Sequence, residues 1–193
     1  MRELLGIFLV LGTAIVGVRA QGQGTVVFAD ERYVVSYRVT DQEVRFTMDD
    51  LRAREAGRAT ADKMPASSFN IYIDVNGNGK VDRYVDRTYG TYRNHVGLCS
   101  QLMVDETSFT PCGGFETNAY FEKSSRSTES APFRHMVTTY VIPRREIAKD
   151  GQTEIHVLFQ CSTEGDAFWG PNAFYPRQNI GGHSLEKTFE LKL

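Results

Sequence analysis

Hydrophobic residues recur with a period of two along most of the chain, which is typical of β-strands. In Val44–Met48 the apolar residues alternate with Arg45 and Thr47, as in a strand with one buried face. The segment Phe69–Ile73 alternates in the same way. Similar patterns predict strands at Thr25–Ala29, Tyr33–Val39, Val81–Tyr89, Leu98–Val104, Ala119–Glu122, Phe133–Ile142, Glu154–Cys161 and Thr188–Leu193.

Two segments have a helical character, and the rest of the pattern predicts an all-β fold. Asp50–Lys63 is rich in Ala, Arg and Glu, and Pro143–Ala148 begins with a proline at a favourable first helical position. Pro65–Ser68 and Ser124–Ala131 are polar and predict connectors. Many short strands separated by turns predict an antiparallel β-sandwich of jelly-roll type with one or two short helices.

One strand differs from the others because it has apolar residues on both faces. Ile155, Val157 and Phe159 share one face of Glu154–Cys161, and Leu158 lies on the opposite face. This pattern predicts a central strand that is covered on both sides.

The first twenty residues have the pattern of a signal peptide. Leu4–Val18 is an uncharged, mostly apolar run, and Val18-Arg19-Ala20 is a cleavage site with small residues at its ends. The alternative is a membrane span, but the run is shorter than the ~20 apolar residues that a span needs. We therefore predict export to the periplasm or the extracellular space, with cleavage after Ala20 and a single domain over residues 21–193.

Charge and cysteine content narrow the class of protein further. The formal net charge of −2 does not indicate a nucleic-acid-binding protein. Cys99 and Cys112 are close in sequence near turn-forming residues, and an oxidising compartment favours their pairing. Cys161 is in phase with the apolar residues of its strand and is expected to be buried. Spacing alone does not exclude a pairing of Cys161 with either of the others.

The strongest candidate for a metal site is the segment Asp74–Asp82. Oxygen-bearing side chains stand at relative positions 1, 3, 5 and 9, and a glycine at position 6 allows a sharp bend. The predicted calcium ligands are Asp74, Asn76, Asn78, the main-chain carbonyl of Lys80, Asp82 and Asp86. The alternative is a hairpin turn without an ion, since Asn-Gly pairs mark such turns. A plain turn, however, does not require Asp at both positions 1 and 9.

The loop resembles those of dockerins and EF-hands, from which it departs at one position. Val85 stands at position 12, where an EF-hand has a bidentate Glu, and Asp86 is one residue late. Because two ligands are neutral amides, we expect an affinity near 10⁻⁴–10⁻³ M, about that of extracellular modules. Such a site indicates a structural ion and not a sensor.

The chain as a whole resembles the superfamily of carbohydrate-binding family-9-like modules and DOMON-type domains. The matching stretches are Phe69–Asp82 and the Ile-Pro-x-x-x-Ile turn of Ile142–Ile147. The resemblance implies a β-sandwich with a calcium-associated loop after an acidic strand end. It also implies a minor alternative, a haem b held by Met48 and His156, although Met48 shares a face with apolar neighbours and is typical of a core residue.

A second candidate site is the long aromatic loop of residues 162–183. The predicted ligand-binding residues are Phe168, Trp169, Asn172, Phe174, Tyr175 and Arg177. Flat aromatic faces stack on sugar rings, and long loops are often functional. The alternative is that these aromatic side chains pack over the end of the sandwich as a satellite core.

The sequence contains no motif for catalysis by a serine nucleophile, a metalloprotease or a phosphate-binding glycine loop. The preferred hypothesis is a secreted, calcium-stabilised, non-catalytic module that binds a partner, with carbohydrate as the favoured ligand. The main alternative is a structural or assembly protein of the cell envelope or extracellular matrix. A glycoside-active enzyme is a minor alternative, because carboxylates for that chemistry have no fixed spacing.

Overall fold

A computed structural model describes residues 24–54, 66–91, 97–166, 173–178 and 184–193. The predicted signal peptide lies outside these residues. The described elements are eleven strands and one short helix: β1 (Thr25–Ala29), β2 (Tyr33–Val39), β3 (Glu43–Arg54), β4 (Ser67–Asp74), β5 (Arg87–Thr91), β6 (Cys99–Leu102), β7 (Tyr120–Thr128), β8 (Ala131–Pro143), α1 (Arg144–Ile147), β9 (Glu154–Thr163), β10 (Phe174–Tyr175) and β11 (Phe189–Lys192).

The strands form two antiparallel sheets packed against each other, which confirms the predicted all-β sandwich. Sheet A has the order β1-β2-β3-β8-β7, and sheet B has the order β10-β9-β4-β5-β6. Strand β11 also pairs with β9 in sheet B. No helix of the described residues is long and apolar enough to cross a membrane.

The main core lies between the sheets and is rich in aromatic side chains. Phe159 of sheet B is fully buried, and its ring centroid lies 6.0 Å from that of Phe46 in sheet A and 5.9 Å from that of Phe69 in sheet B. Across the sheets, the hydroxyl of Tyr140 donates to the carbonyl of Phe69 at 2.6 Å. The alternating residues of the predicted strands therefore meet at this interface.

A second apolar cluster covers the outer face of sheet B. It contains Tyr72, Met103, Leu158, Ala173, Phe174 and Leu185. Ile155, Val157 and Phe159 lie in the main core on the other face of β9. The prediction of a central strand with both faces covered is thus confirmed.

Three element boundaries differ most from the sequence prediction, and the predicted connector Pro65–Ser68 also overlaps the start of β4 at Ser67. Strand β3 continues to Arg54, so the predicted helix at Asp50–Lys63 is wrong at its start, and the remainder lies outside the described residues. The Asp50 carboxylate accepts from the backbone N–H groups of Arg52 and Ala53, both at 3.1 Å, which reproduces locally the bonding of a helix cap. The irregularity in the β3–β8 pairing falls at this point.

The other two corrections concern a loop and a hairpin. Residues 81–86 belong to the loop before β5 and not to the strand predicted at Val81–Tyr89. The predicted connector Ser124–Ala131 instead forms the end of β7, a tight turn and the start of β8. Polar side chains fit this hairpin because most of β7 is exposed or half-buried. The short helix predicted near Pro143 is confirmed as α1.

The predicted disulfide joins Cys99 and Cys112, whose Cα atoms are 4.7 Å apart. Cys99 is buried at the start of β6, and Cys112 lies in an exposed turn. Cys161 is a free thiol in the main core, and burial raises its pKa. A disulfide is compatible with a periplasmic or extracellular location.

Candidate metal loop and candidate binding surfaces

The loop that connects β4 to β5 is organised by a buried carboxylate. Asp74 ends β4 and is fully buried. Its Oδ1 accepts from the backbone N–H of Gly77 at 2.6 Å and of Asn78 at 3.3 Å, and its Oδ2 accepts from Gly79 at 2.8 Å. Gly77 and Gly79 have φ values of 69° and 74°, a region that glycine enters without strain. The bend predicted at Gly79 is therefore confirmed.

The amide side chains of the loop converge on a second carboxylate. The Nδ2 atoms of Asn76 and Asn78 donate to the same oxygen, Oδ2 of Asp82, at 2.6 and 2.7 Å. The Oδ1 atoms of the two amides accept from the backbone N–H groups of Asn78 and Lys80, at 3.2 and 2.9 Å. The side chains at positions 3, 5 and 9 thus meet at one point.

Asp86 supplies the inward-facing carboxylate that position 12 lacks. Val85, at position 12, is 41% exposed, whereas Asp86 is fully buried. Asp86 Oδ1 accepts from the N–H of Val75 at 3.0 Å, and its Oδ2 accepts from the N–H of Asp82 at 2.6 Å. Tyr84 has a positive φ of 63° in the turn that brings Asp86 back to the loop. The one-residue delay is thus accommodated by the turn.

The loop holds more negative charge than its surroundings neutralise. Within the described part of the chain, no lysine or arginine nitrogen lies within 4.0 Å of a carboxylate oxygen of Asp74, Asp82 or Asp86. Burial raises the pKa of Asp86 to about 6, and repulsion from Asp74 and Asp82 adds to this effect against the two backbone hydrogen bonds. Among the described residues, backbone and amide N–H groups are the donors to these three carboxylates, and no cationic side chain compensates their charge.

The donor set fits calcium, which prefers six to eight oxygen ligands. In the present conformation, however, the amide nitrogens of Asn76 and Asn78 face Asp82, so both amides must rotate to present oxygens to an ion. Among the described acidic and histidine side chains, the group whose ligand atoms all lie within 4.8 Å of one another is Glu154, His156 and Glu190, and it does not include the loop carboxylates. Calcium binding therefore requires the loop to rearrange locally.

The raised pKa of Asp86 predicts a pH dependence for the protein in EDTA. The ordinary pKa of an unfolded Asp is about 3.9. Because the folded-state pKa is higher, the stabilisation from protonated Asp86 is complete below about pH 4 and is lost as the pH rises through about 6. We expect the melting temperature in EDTA to fall between about pH 5 and about pH 7 by more in the wild type than in Asp86→Ala. An equal change in the two proteins, measured by calorimetry, contradicts this assignment.

The two described aromatic side chains of the aromatic loop are buried. Phe174 and Tyr175 are 2% and 6% exposed. The Tyr175 ring stacks on Phe28 at 4.2 Å between centroids, and its hydroxyl donates to Asp30 at 2.9 Å. These two rings therefore pack into the protein, as the alternative prediction had it, and their faces are not available to a sugar. Arg177 is exposed, and the predicted residues Phe168, Trp169 and Asn172 lie outside the described residues.

The two residues considered for haem ligation lie on opposite sides of sheet B. Met48 is fully buried in the core between the sheets. His156 alternates along β9 with the core residues Ile155 and Val157, so it lies on the outer face of sheet B. The fold does not bring Met48 and His156 together.

A groove on the outer side of sheet A was not predicted from the sequence. It has a volume of about 470 Å³ and is lined by Asp41, Gln42, Glu43, Asn118, Tyr120, Val141, Pro143 and Arg145. Tyr120 at the start of β7 is 46% exposed. A second groove of about 510 Å³ shares Asn118 and Arg145 with the first and adds Arg87, Glu116, Thr117 and Glu146. We call the two together the Tyr120 groove.

No protein-family model matches the chain, and no curated protein matches it significantly in sequence. We therefore infer the function from the geometry of the loop and of the surfaces.

The wall of the Tyr120 groove is held in place by Glu146 of α1. Its Oε2 accepts from the hydroxyl groups of Tyr89 at 3.0 Å and Thr117 at 2.6 Å, and its Oε1 accepts from the N–H of Asn118 at 2.9 Å. The segment before β7 is thereby fixed to both sheets. The sequence signal was a tyrosine within the predicted strand Ala119–Glu122, and its exposure is known only once the faces of that strand are known.

The buried acid Asp50 has structural partners. Both of its carboxylate oxygens accept from the Thr163 hydroxyl at 2.9 Å, and Thr163 also contacts the Tyr33 hydroxyl at 3.0 Å. Burial raises the pKa of Asp50 against these hydrogen bonds. The bond from Thr163 of β9 to Asp50 of β3 links sheets B and A. Because Asp50 is fully buried, neither carboxylate oxygen is exposed to a substrate.

Proposed function

We propose that the protein is an exported, non-catalytic β-sandwich module that is stabilised by calcium and binds carbohydrate. The observation that carries the proposal is the β4–β5 loop, where three carboxylates without a lysine or arginine partner among the described residues surround two asparagine amides. The disulfide and the signal-peptide pattern support export.

The ion would be held by oxygens of one short segment of the chain. The proposed ligands are the side chains of Asp74, Asn76, Asn78, Asp82 and Asp86 and the carbonyl of Lys80. Calcium supplies positive charge that compensates the carboxylates and fixes the loop at the end of sheet B. Its role is structural because no residue of the loop lines either part of the Tyr120 groove.

The Tyr120 groove is the surface that best fits a carbohydrate. The exposed face of Tyr120 can pack against the C–H groups of a sugar ring, as aromatic rings pack against apolar surfaces. Around it, Asn118, Arg145 and Glu43 supply amide, guanidinium and carboxylate groups that can bind hydroxyl groups. Both parts of the groove fall within the volume range of small-molecule sites, about 300–1,000 Å³. This combination of one exposed aromatic ring with several hydrogen-bonding groups favours a polyhydroxylated ligand over a lipid.

Replacement of Tyr120 tests the carbohydrate assignment. We expect Tyr120→Ala to weaken glycan binding about tenfold, because loss of one stacked aromatic ring removes ~1.5 kcal/mol of contact. The measurement is a glycan-array screen of the wild type followed by calorimetry on the best ligand in calcium buffer.

The matched control is Phe133→Ala, which removes a 37% exposed aromatic side chain near the other end of sheet A. This variant should keep the wild-type affinity. Absence of glycan binding by the wild type, or equal losses in both variants, contradicts the carbohydrate assignment. Capture of an envelope or matrix protein instead would favour the assembly alternative.

A further inference from the structure

A second cluster of metal-ligating side chains lies on the outer face of sheet B, at the pairing of β9 with β11. The register places Glu154 opposite Lys192 and His156 opposite Glu190. Because residues two apart in a strand share a face, all four side chains project from the same surface. We call these four residues the β9–β11 cluster.

The two carboxylates and the imidazole of the β9–β11 cluster are close enough to share an ion. One ligand atom from each of Glu154, His156 and Glu190 lies within 4.8 Å of the others. The position between the carboxylates already attracts a cation, since Lys192 Nζ lies 2.6 Å from Glu154 Oε2 and 2.6 Å from Glu190 Oε1. Because one ammonium compensates only one of the two carboxylates, the pair together with Lys192 keeps one uncompensated negative charge.

The imidazole is held in place from two sides. His156 Nδ1 lies 3.2 Å from the hydroxyl oxygen of Thr188, the residue before β11. On the other side, the ring lies against Gly77 of the β4–β5 loop. The approach is so close that a Cβ added at Gly77 would lie 3.1 Å from His156 Cδ2. A fixed ring orientation lowers the entropic cost of metal binding.

We propose that Glu154, His156 and Glu190 bind a divalent transition metal of the zinc class, and that Lys192 is displaced by it. One imidazole nitrogen with two carboxylate oxygens is a ligand set for such metals, whereas calcium selects oxygens alone. Lys192 can leave because its side chain is 69% exposed and flexible. This site is separate from the proposed calcium loop in its ligands, although His156 packs against that loop.

The test is a zinc titration of the tag-free protein in excess calcium, in which calorimetry measures the heat of binding. We expect one equivalent of zinc to bind, with affinity reduced at least about tenfold in His156→Gln and in Glu190→Gln. Lys192→Met should bind zinc more tightly than the wild type, because the competing cation is removed. The matched control Glu122→Gln changes an exposed glutamate on β7 and should bind zinc as the wild type does.

Cobalt gives an independent readout, since a bound imidazole changes its visible absorption spectrum. That change should be seen in the wild type and Lys192→Met and should be lost in His156→Gln. Zinc binding that is unchanged in both His156→Gln and Glu190→Gln overturns the proposal, as does a wild type that binds no zinc. Since replacement of Asn76 and Asn78 by Ala removes two exposed calcium ligands with little expected change in stability, loss of calcium binding with retained zinc binding in that variant separates the two sites.

Discussion

Asp74→Ala should lower the stability of the protein and abolish its response to calcium. The Asp74 carboxylate satisfies three backbone N–H groups in the β4–β5 loop. An unsatisfied buried polar group costs ~1–3 kcal/mol, so we expect a total loss of about 3 kcal/mol after partial hydration. For a chain of this length, the melting temperature should then fall by about 6–12 °C. Calorimetry in EDTA measures this loss, and repetition in calcium measures the response.

Two further substitutions separate the structural role of Asp74 from ion binding. Asn76 and Asn78 are exposed, so their replacement by Ala should change the stability in EDTA little while weakening the calcium response. Asp105→Ala removes an exposed carboxylate that accepts from the N–H of Thr107 at 2.8 Å in another loop, and it should leave the calcium response intact. A calcium response in Asp74→Ala equal to that of the wild type contradicts the ligand assignment.

Loss of the disulfide should have an effect of similar size. Cys99 and Cys112 are separated by 13 positions, and closure of such a loop stabilises a protein by about 3 kcal/mol in the chain-entropy model. We expect the double variant Cys99→Ala/Cys112→Ala to unfold at a lower denaturant concentration by this free energy. Guanidinium denaturation followed by fluorescence is the measurement.

The free thiol provides the control for this experiment. A reductant should destabilise the wild type and Cys161→Ala alike, and it should not affect the double variant. Equal stability of the oxidised wild type and the double variant would show that the cross-link contributes nothing. Greater resistance of Cys161→Ala to the reductant would point to a different pairing.

The strands were predictable because alternation is a local property of the sequence. Ile155, Val157 and Phe159 on one face and Leu158 on the other were sufficient to predict a strand covered on both sides, and the two apolar clusters confirm it. The disulfide followed from compartment and spacing. The start of the predicted helix at Asp50 was wrong because an Asp side chain can bond to the next N–H groups within an irregular strand as well as at a helix cap.

The surfaces were harder to predict because they depend on pairing between distant segments. Glu154 and Glu190 meet only through the register of β9 with β11, which local alternation does not specify. Tyr120 becomes a candidate binding residue only once α1 and the segment before β7 form a groove around it. Burial of Phe174 and Tyr175 likewise depends on β10 joining the edge of β9.

The β4–β5 loop could be predicted from the sequence only in part. Its residue spacing identified Asp74 and the bend at Gly79, since both belong to one short segment. The inward turn of Asp86 in place of Val85 depends on the backbone of residues 82–86, which the motif did not specify. The Nδ2 atoms of Asn76 and Asn78 face Asp82, and residue spacing does not specify this orientation of the amides.

The most direct test is calcium titration of the chelated protein, with binding heat and melting temperature measured on the same sample. We predict one equivalent bound with a Kd of about 10⁻⁴–10⁻³ M, and stabilisation of about 1–3 kcal/mol at calcium concentrations ten- to a hundredfold above the Kd. Identical melting curves in EDTA and in saturating calcium, with no binding heat, would contradict the account.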